Sequence, residues 1–264
     1  MNCFVRSDLD ELLSTNHQDP IDGELPKVTI LIPAYKEEEY IETTLKEIAG
    51  AFRTADIAFE ILVVVDLVPG DRTGTYVRRT SEEYPEIRII ERIGRRGVGD
   101  AITTGIREAN GEIIIPVMGD QSEHPSDIIR LARKAEEVDV VFTDRFRNGK
   151  PPGYPVIKYI ANRCCNIAVM VLFRIPYRDT TNAFKAYRRQ LLKDLILSSR
   201  GFEIFLEIPL KVMRLGPLRT SVIEVRHTVK KKGAPKLSVP RDGTRYARLV
   251  LSLLSHIKSD GNKS

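Results

Sequence analysis

The sequence predicts an α/β protein: a single doubly wound domain with a mostly parallel central sheet and a C-terminal helical extension. Three observations predict it. Short β-rich runs alternate with stretches of helical spacing over residues 28–142. The first run is mostly apolar without strict alternation, as in a parallel strand covered on both faces. Acidic residues recur where the runs stop, which is where open α/β sheets bind ligands.

Val28–Ile32 reads as a strand ended by Pro33, and Glu38–Phe52 as a helix with Ile41, Leu45, Ile48 and Phe52 on one face. Phe59–Val65 is a second strand, ending at Asp66, and Thr73–Tyr84 a helix. Ile87–Ile90 is a third strand, and Val98–Ala109 a helix stopped by Asn110-Gly111. Glu112–Val117 is a fourth strand, Ser126–Glu137 a helix capped by Ser122 or Asp127, and Val138–Phe142 a fifth strand. This βαβ alternation implies right-handed crossovers. The pattern then changes. Tyr154–Phe173 is a long apolar helix, readable as core or as a helix at a membrane surface. Arg178–Tyr187 is a polar loop running into a short strand. Arg189–Leu197 and Phe202–Leu215 are helices, Ser221–Thr228 a strand, Lys230–Pro240 a basic loop and Thr244–Ile257 a final amphipathic helix.

With 264 residues, 42% hydrophobic and 29% charged, the chain can bury a substantial core. Three cysteines are too few for a disulfide framework, so a reduced cytoplasmic setting is expected. No signal-peptide pattern opens the chain, and no uninterrupted run reaches the roughly 18 apolar residues of a membrane span. The net charge of +5 is uneven. Residues 1–26 carry six acids and one arginine, and read as an appendage outside the main domain of 27–229. Residues 226–264 carry ten Lys and Arg against two Asp. A basic end predicts an anionic partner: a phosphorylated substrate or a membrane surface. The basic run has no interleaved aromatics, so nucleic acid is not expected.

Several strand ends carry candidate chemistry. Pro33-Ala-Tyr35-Lys-Glu37 follows the first strand, where the acids also suit a helix start. Asp66 follows the second; its two acceptor oxygens suit a vicinal diol or an imide edge. Gly94-Arg-Arg-Gly97-Val-Gly99 opens a helix, as either an anion site or a plain glycine turn. Gly119-Asp120-Gln121-Ser-Glu123-His124-Pro125 follows the fourth strand, and its carboxylates suit a hard divalent cation with substrate phosphates. Thr143-Asp-Arg145-Phe follows the fifth. Asp179-Thr-Thr-Asn182-Ala-Phe-Lys185 and Lys230-Lys-Lys232-Gly-Ala-Pro-Lys236 complete the series.

Taken as an ordered set from Val28 to Leu237, these motifs resemble the family 2 nucleotide-diphosphosugar glycosyltransferases of GT-A fold, and among them the dolichyl- and polyprenyl-phosphate sugar synthases. The resemblance implies Mg²⁺ or Mn²⁺ as cofactor and inversion at the anomeric carbon. It places Pro33, Tyr35, Glu37, Asp66, Gly97, Asp120 and Gln121 around the donor nucleotide. Asp120 and Glu123 stand at the metal. Arg145, Asn182, Lys230, Lys232 and Lys236 stand at the acceptor phosphate, and Asp120, Asp179 and Arg145 at the chemistry. The sequence departs from the family's Asp-x-Asp followed by Leu-Gln-His-Pro. Aligned on His124-Pro125, Gly119 and Gln121 occupy the two aspartate positions, and Asp120 with Glu123 forms a spaced acid pair instead. In the basic loop, lysines replace arginines and Pro235 replaces a serine.

The expected function is transfer of a hexose from a UDP- or GDP-sugar to a polyprenyl or dolichyl phosphate. The enzyme would be peripheral on the cytoplasmic membrane face, with or without a membrane partner protein. Two alternatives remain open: a soluble, glycan or protein acceptor with Asp179 as base, and a basic nucleic-acid- or membrane-binding protein without turnover.

Overall fold

The computed structural model describes residues 26–94, 97–226 and 239–261. The predicted appendage at 1–26, Arg95 and Arg96, and the loop bearing Lys230, Lys232 and Lys236 lie outside the described residues, Pro26 excepted.

The first half alternates as the periodicity predicts. It runs β1 (Val28–Ala34), α1 (Ile41–Thr54), β2 (Phe59–Leu67), α2 (Thr73–Glu83), β3 (Ile87–Ile93), α3 (Val98–Glu108), β4 (Ile113–Pro116), α4 (Pro125–Ala135) and β5 (Val140–Asp144). The second half adds α5 (Val156–Phe173), β6 (Ala186–Arg188), α6 (Arg189–Lys193), α7 (Ile204–Val212), β7 (Thr220–Glu224) and α8 (Val239–Gly261).

Seven strands form one sheet in the order β3-β2-β1-β4-β6-β5-β7. β1 pairs in parallel with β2 and β4, β2 with β3, and β5 with β7. β6 is the exception: it slots between β4 and β5 and runs antiparallel to both. Its three residues are too few for period-two patterning to reveal an orientation. The carboxyl ends of β1 to β5 and β7 therefore share one edge of the sheet.

Every residue of β1 is buried, because both faces of the sheet are covered. Val28, Ile30 and Ile32 pack on one face against Ile41, Leu45, Ile48 and Phe52 of α1 and Ile128 and Leu131 of α4. Leu31 lies on the other face with Ile102 and Ile106 of α3 and Ile204, Phe205 and Ile208 of α7. A third cluster joins Val169 of α5, Leu206 and Leu210 of α7, and Leu249 and Leu253 of α8. The C-terminal helix thus packs back onto the domain.

Local chemistry moved several boundaries. α4 starts at Pro125 and its N-cap is His124, whose Nδ1 accepts from the Ser126 N–H at 3.2 Å. Asp127 lies buried inside the first turn instead, bonded by Arg130 and the Arg226 N–H. α6 stops after five residues, and α8 begins five residues earlier than its apolar spacing suggests, with Pro240 in its first turn.

Candidate active site

The turn after β1 is tied to the turn after β2. Asp71 accepts from the Lys36 N–H at 2.9 Å and, through its other oxygen, from the Thr73 N–H at 3.0 Å. Thr73 Oγ1 in turn accepts from the Glu37 N–H at 2.9 Å. Asp71 therefore ties the turn that carries Tyr35 and the buried Glu37 to the first residue of α2. Pro33, expected to end the strand, lies inside β1 and is buried.

Asp66, at the end of β2, is buried and meets Arg92, its cross-strand neighbour in β3. Arg92 Nε donates to Asp66 Oδ1 at 2.9 Å, and its Nη2 bonds the same oxygen. Asp66 Oδ2 accepts from the Gly97 N–H at 3.2 Å. Asp66 and Gly97, both expected at the nucleotide, are thus held together. Arg92 went unnoticed in the sequence because its partner is fixed by strand register rather than by any local motif.

The glycines opening α3 serve close approach. A Cβ on Gly99 would lie 2.2 Å from the Ser199 carbonyl oxygen, and one on Gly97 2.5 Å from that of Arg200. Gly97 also has φ +103°, in the region that favours glycine. The Gly99 N–H donates to the Arg200 carbonyl at 2.9 Å. Of the two readings of this stretch, the glycine turn accounts for both contacts.

After β4, Asp120 Oδ1 accepts from the Ser122 N–H at 3.2 Å. Glu123 folds back so that Oε2 accepts from the Met118 N–H at 3.1 Å and from Ser122 Oγ at 2.9 Å. Burial, with the charge of Asp120 added, pushes the Glu123 carboxyl up to about 7. Two carboxylates brought together in this way repel, and a divalent cation relieves that repulsion. Among the described residues no group of three or more His, Cys, Asp and Glu gathers. Two carboxylates fit an ion of the Mg²⁺ type, which takes one or two from protein and completes its shell with water and substrate phosphate. Gly119 faces inward: a Cβ there would meet Ile41 at 3.1 Å and Glu37 at 3.4 Å. Gln121 adopts φ +58° and its amide donates to Glu47 on α1 at 3.2 Å, at the surface.

A second cluster, which includes the residues expected at the acceptor, is built around Asp179. Its side chain is buried and faces Arg145 as a fork, with Nε to Oδ2 at 2.8 Å and Nη2 to Oδ1 at 2.9 Å. The Arg145 N–H adds a third bond at 3.2 Å. Burial would raise the Asp179 pKa, but the charge and hydrogen bonds of Arg145 outweigh it and hold the carboxyl below its ordinary range. Burial likewise opposes the charge on Arg145, and Asp179 reverses that and raises it. Glu123 adds a smaller favourable charge to the field on Arg145. Asn182 faces inward and donates to Thr143 Oγ1 at 2.6 Å. Lys185, fully enclosed, bonds the Asn182 carbonyl; burial, with Arg145 nearby, pulls its amine down to about 7.

Two further residues join this cluster. Arg163 of α5 donates to the Arg178 carbonyl at 2.8 Å and stands 3.9 Å from Asp179. Arg145 and Arg163 both lie on the Phe146 ring, with centroid distances of 5.0 and 4.6 Å. Tyr246 of α8 donates to the Phe202 carbonyl at 2.9 Å and feels the charges of Glu203 and Arg145. Helical periodicity marks both as parts of apolar helices and conceals these contacts.

The glycosyl transferase family 2 model matches residues 29–196. Among curated proteins, a dolichol-phosphate mannosyltransferase of Pyrococcus furiosus is 29% identical over 80% of this chain and 59% of its own. An undecaprenyl-phosphate mannosyltransferase of Micrococcus luteus is 25% identical over 80% of this chain and 88% of its own. The chain thus spans about three fifths of the first relative and most of the second. Two solved structures share the fold. Glucosyl-3-phosphoglycerate synthase of Mycobacterium tuberculosis, in complex with Mn²⁺, UDP and phosphoglyceric acid, has a TM-score of 0.66 at 17% identity, covering 87% of this chain and 78% of that one. A mannosyltransferase of Pyrobaculum calidifontis, in complex with GDP-Man and Mn²⁺, has a TM-score of 0.55 at 20% identity, covering 86% and 64%. With the family match spanning residues 29–196, most of the α/β core, this chain belongs to glycosyl transferase family 2.

Proposed function

We propose that the chain transfers a hexose from a nucleotide-diphosphate sugar to a polyprenyl phosphate, inverting the anomeric centre, at the cytoplasmic face of a membrane. The observation that carries the acceptor class is the Arg145–Asp179 fork. An acceptor hydroxyl would need a free base, and Asp179 has both oxygens engaged by Arg145 with its basicity lowered. A phosphate monoester is already an anion near neutral pH and needs none. The polyprenyl-phosphate relatives support the same reading.

Mg²⁺ or Mn²⁺, bound through Asp120 and Glu123, would supply Lewis-acid neutralisation of the donor's diphosphate. Tyr35, Glu37 and Asp66 hold the nucleoside over the ends of β1 and β2. Arg145 faces the acceptor phosphate, and Asp179 acts as a positioning residue that aims the guanidinium. An acceptor oxygen attacks the anomeric carbon as the bond to the diphosphate oxygen breaks, and the nucleoside diphosphate leaves with that electron pair. The transition state carries oxocarbenium character. Asn182 orients the Asp179 loop, and Lys230, Lys232 and Lys236 add charge at the phosphates.

The test supplies labelled UDP- and GDP-hexoses together with polyprenyl phosphate, a glycan and a protein acceptor. Label extracted into organic solvent with at least one donor is expected. Label confined to the glycan or protein would move the chain to the soluble-acceptor reading.

A further inference from the structure

The loop at 198–200 backs the glycine turn that opens α3. The Arg200 carbonyl accepts from the Gly99 N–H, and the Ser199 and Arg200 carbonyls leave no room for a Cβ on Gly99 or Gly97. The same loop is held from α7 by Glu207. Every residue of α7 except Lys211 is buried, and Glu207 is fully enclosed. A carboxylate in such a place needs donors around it. The loop supplies them. The Ser198 N–H donates to Glu207 Oε1 at 3.0 Å, Ser198 Oγ to Oε1 at 2.9 Å, and the Ser199 N–H to Oε2 at 2.8 Å. Lys211, one turn on, adds an ion pair. Burial would raise the Glu207 pKa, but Lys211 and these donors outweigh it and hold the carboxyl below its ordinary range. Hydrogen bonds to a charged acceptor are roughly twice as strong as neutral ones. Beyond the glycine turn the contacts continue. The Gly97 N–H donates to Asp66 Oδ2 at 3.2 Å, and Arg92 Nη2 donates to the Gly97 carbonyl at 3.2 Å.

We infer that Glu207 is a positioning residue for donor binding: its carboxylate fixes the 198–200 backbone, that backbone seats Gly97-Val-Gly99, and the seated turn holds Asp66 with Arg92 for the nucleotide. This deepens the donor-site reading and rests on the placing of Asp66 and Gly97 at the nucleotide. The physical effect is preorganisation. With the loop loosened, the nucleotide itself must order the turn, so donor affinity falls while the chemical step is untouched.

The test is titration calorimetry of the full chain with UDP and with GDP, each with Mn²⁺, for the parent, Glu207→Gln and Glu60→Gln. Glu60 is the control for lost stability. It is also a buried carboxylate, bonded by Thr29 Oγ1 and the Asn110 N–H at 2.6 Å each and by Arg88. It stands six residues before Asp66 in β2, roughly 20 Å away. Glu207→Gln should weaken nucleotide binding about tenfold or more. In transfer assays its donor KM should rise in step, with kcat and acceptor KM changed less than about threefold. Amide hydrogen exchange at residues 97–99 should speed up. Glu60→Gln should lower the melting temperature yet keep the parent's nucleotide affinity and its exchange at 97–99. Ser198→Ala removes one bond to Glu207 without opening the core and should weaken binding about threefold, which keeps the test open if Glu207→Gln does not fold. Parent affinity in Glu207→Gln and Ser198→Ala, or an equal loss in Glu60→Gln, would overturn the inference alone. A parent that binds neither nucleotide would overturn the donor reading beneath it.

Discussion

Asp179 and Arg145 hold each other in a buried fork, so removing either leaves the other charged and alone. Asp179→Asn should cost about 3–5 kcal/mol of stability, read by urea denaturation. It should also raise the KM for acceptor more than that for donor, because the guanidinium loses its aim. If Asp179 were a general base instead, kcat would collapse with a changed pH profile and little change in KM. Lys185 makes a pH prediction. Its folded pKa of about 7 lies below the ordinary lysine value of 10.5. Between those values the unfolded chain binds the extra proton, so stability should rise as pH climbs from about 7 towards 10. Lys185→Met should flatten that rise and be relatively most stabilising below pH 7; an unchanged slope in thermal unfolding against pH would count against a neutralised lysine. The acids at the strand ends were legible in the sequence because each follows an apolar run. Their partners were not. Arg92 reaches Asp66 from 26 residues away and Arg145 meets Asp179 across 34, distances that only strand register and loop path close.

At the scale of elements, β1, β2, α1 and α4 follow directly from apolar spacing, since each is amphipathic or wholly enclosed. β6 and α6 do not, because three and five residues carry too little periodicity to orient them. The Gly97-Val-Gly99 turn shows a signal that was visible and open to two readings. Its glycines admit the backbone of residues 199–200, which no composition rule identifies. Gly99→Ala would force a Cβ against the Ser199 carbonyl and should destabilise by about 1–3 kcal/mol, lowering the melting temperature. It should also weaken nucleotide binding, because Gly97 two residues earlier bonds Asp66. A variant as stable as the parent would mean that the loop at 199–200 moves aside without cost.

In the proposed reading the whole molecule has a donor half and an acceptor half meeting at one sheet edge. The donor half comes from the βαβ repeat, and its order along the chain is what made the family legible. The acceptor half comes from β5, the loop before β6, α5 and α8, and its assembly depends on an antiparallel insertion. The acid pair Asp120 and Glu123 follows β4, and it is where the sequence departs from the motif it resembles. The most direct measurement is transfer of labelled hexose to polyprenyl phosphate by the parent and by Asp120→Asn, each with Mn²⁺ and with EDTA. The account predicts lipid-extractable product that needs Mn²⁺ and falls at least about 100-fold in the variant, with circular dichroism unchanged. Equal transfer by parent and variant, or transfer undiminished by EDTA, would contradict it.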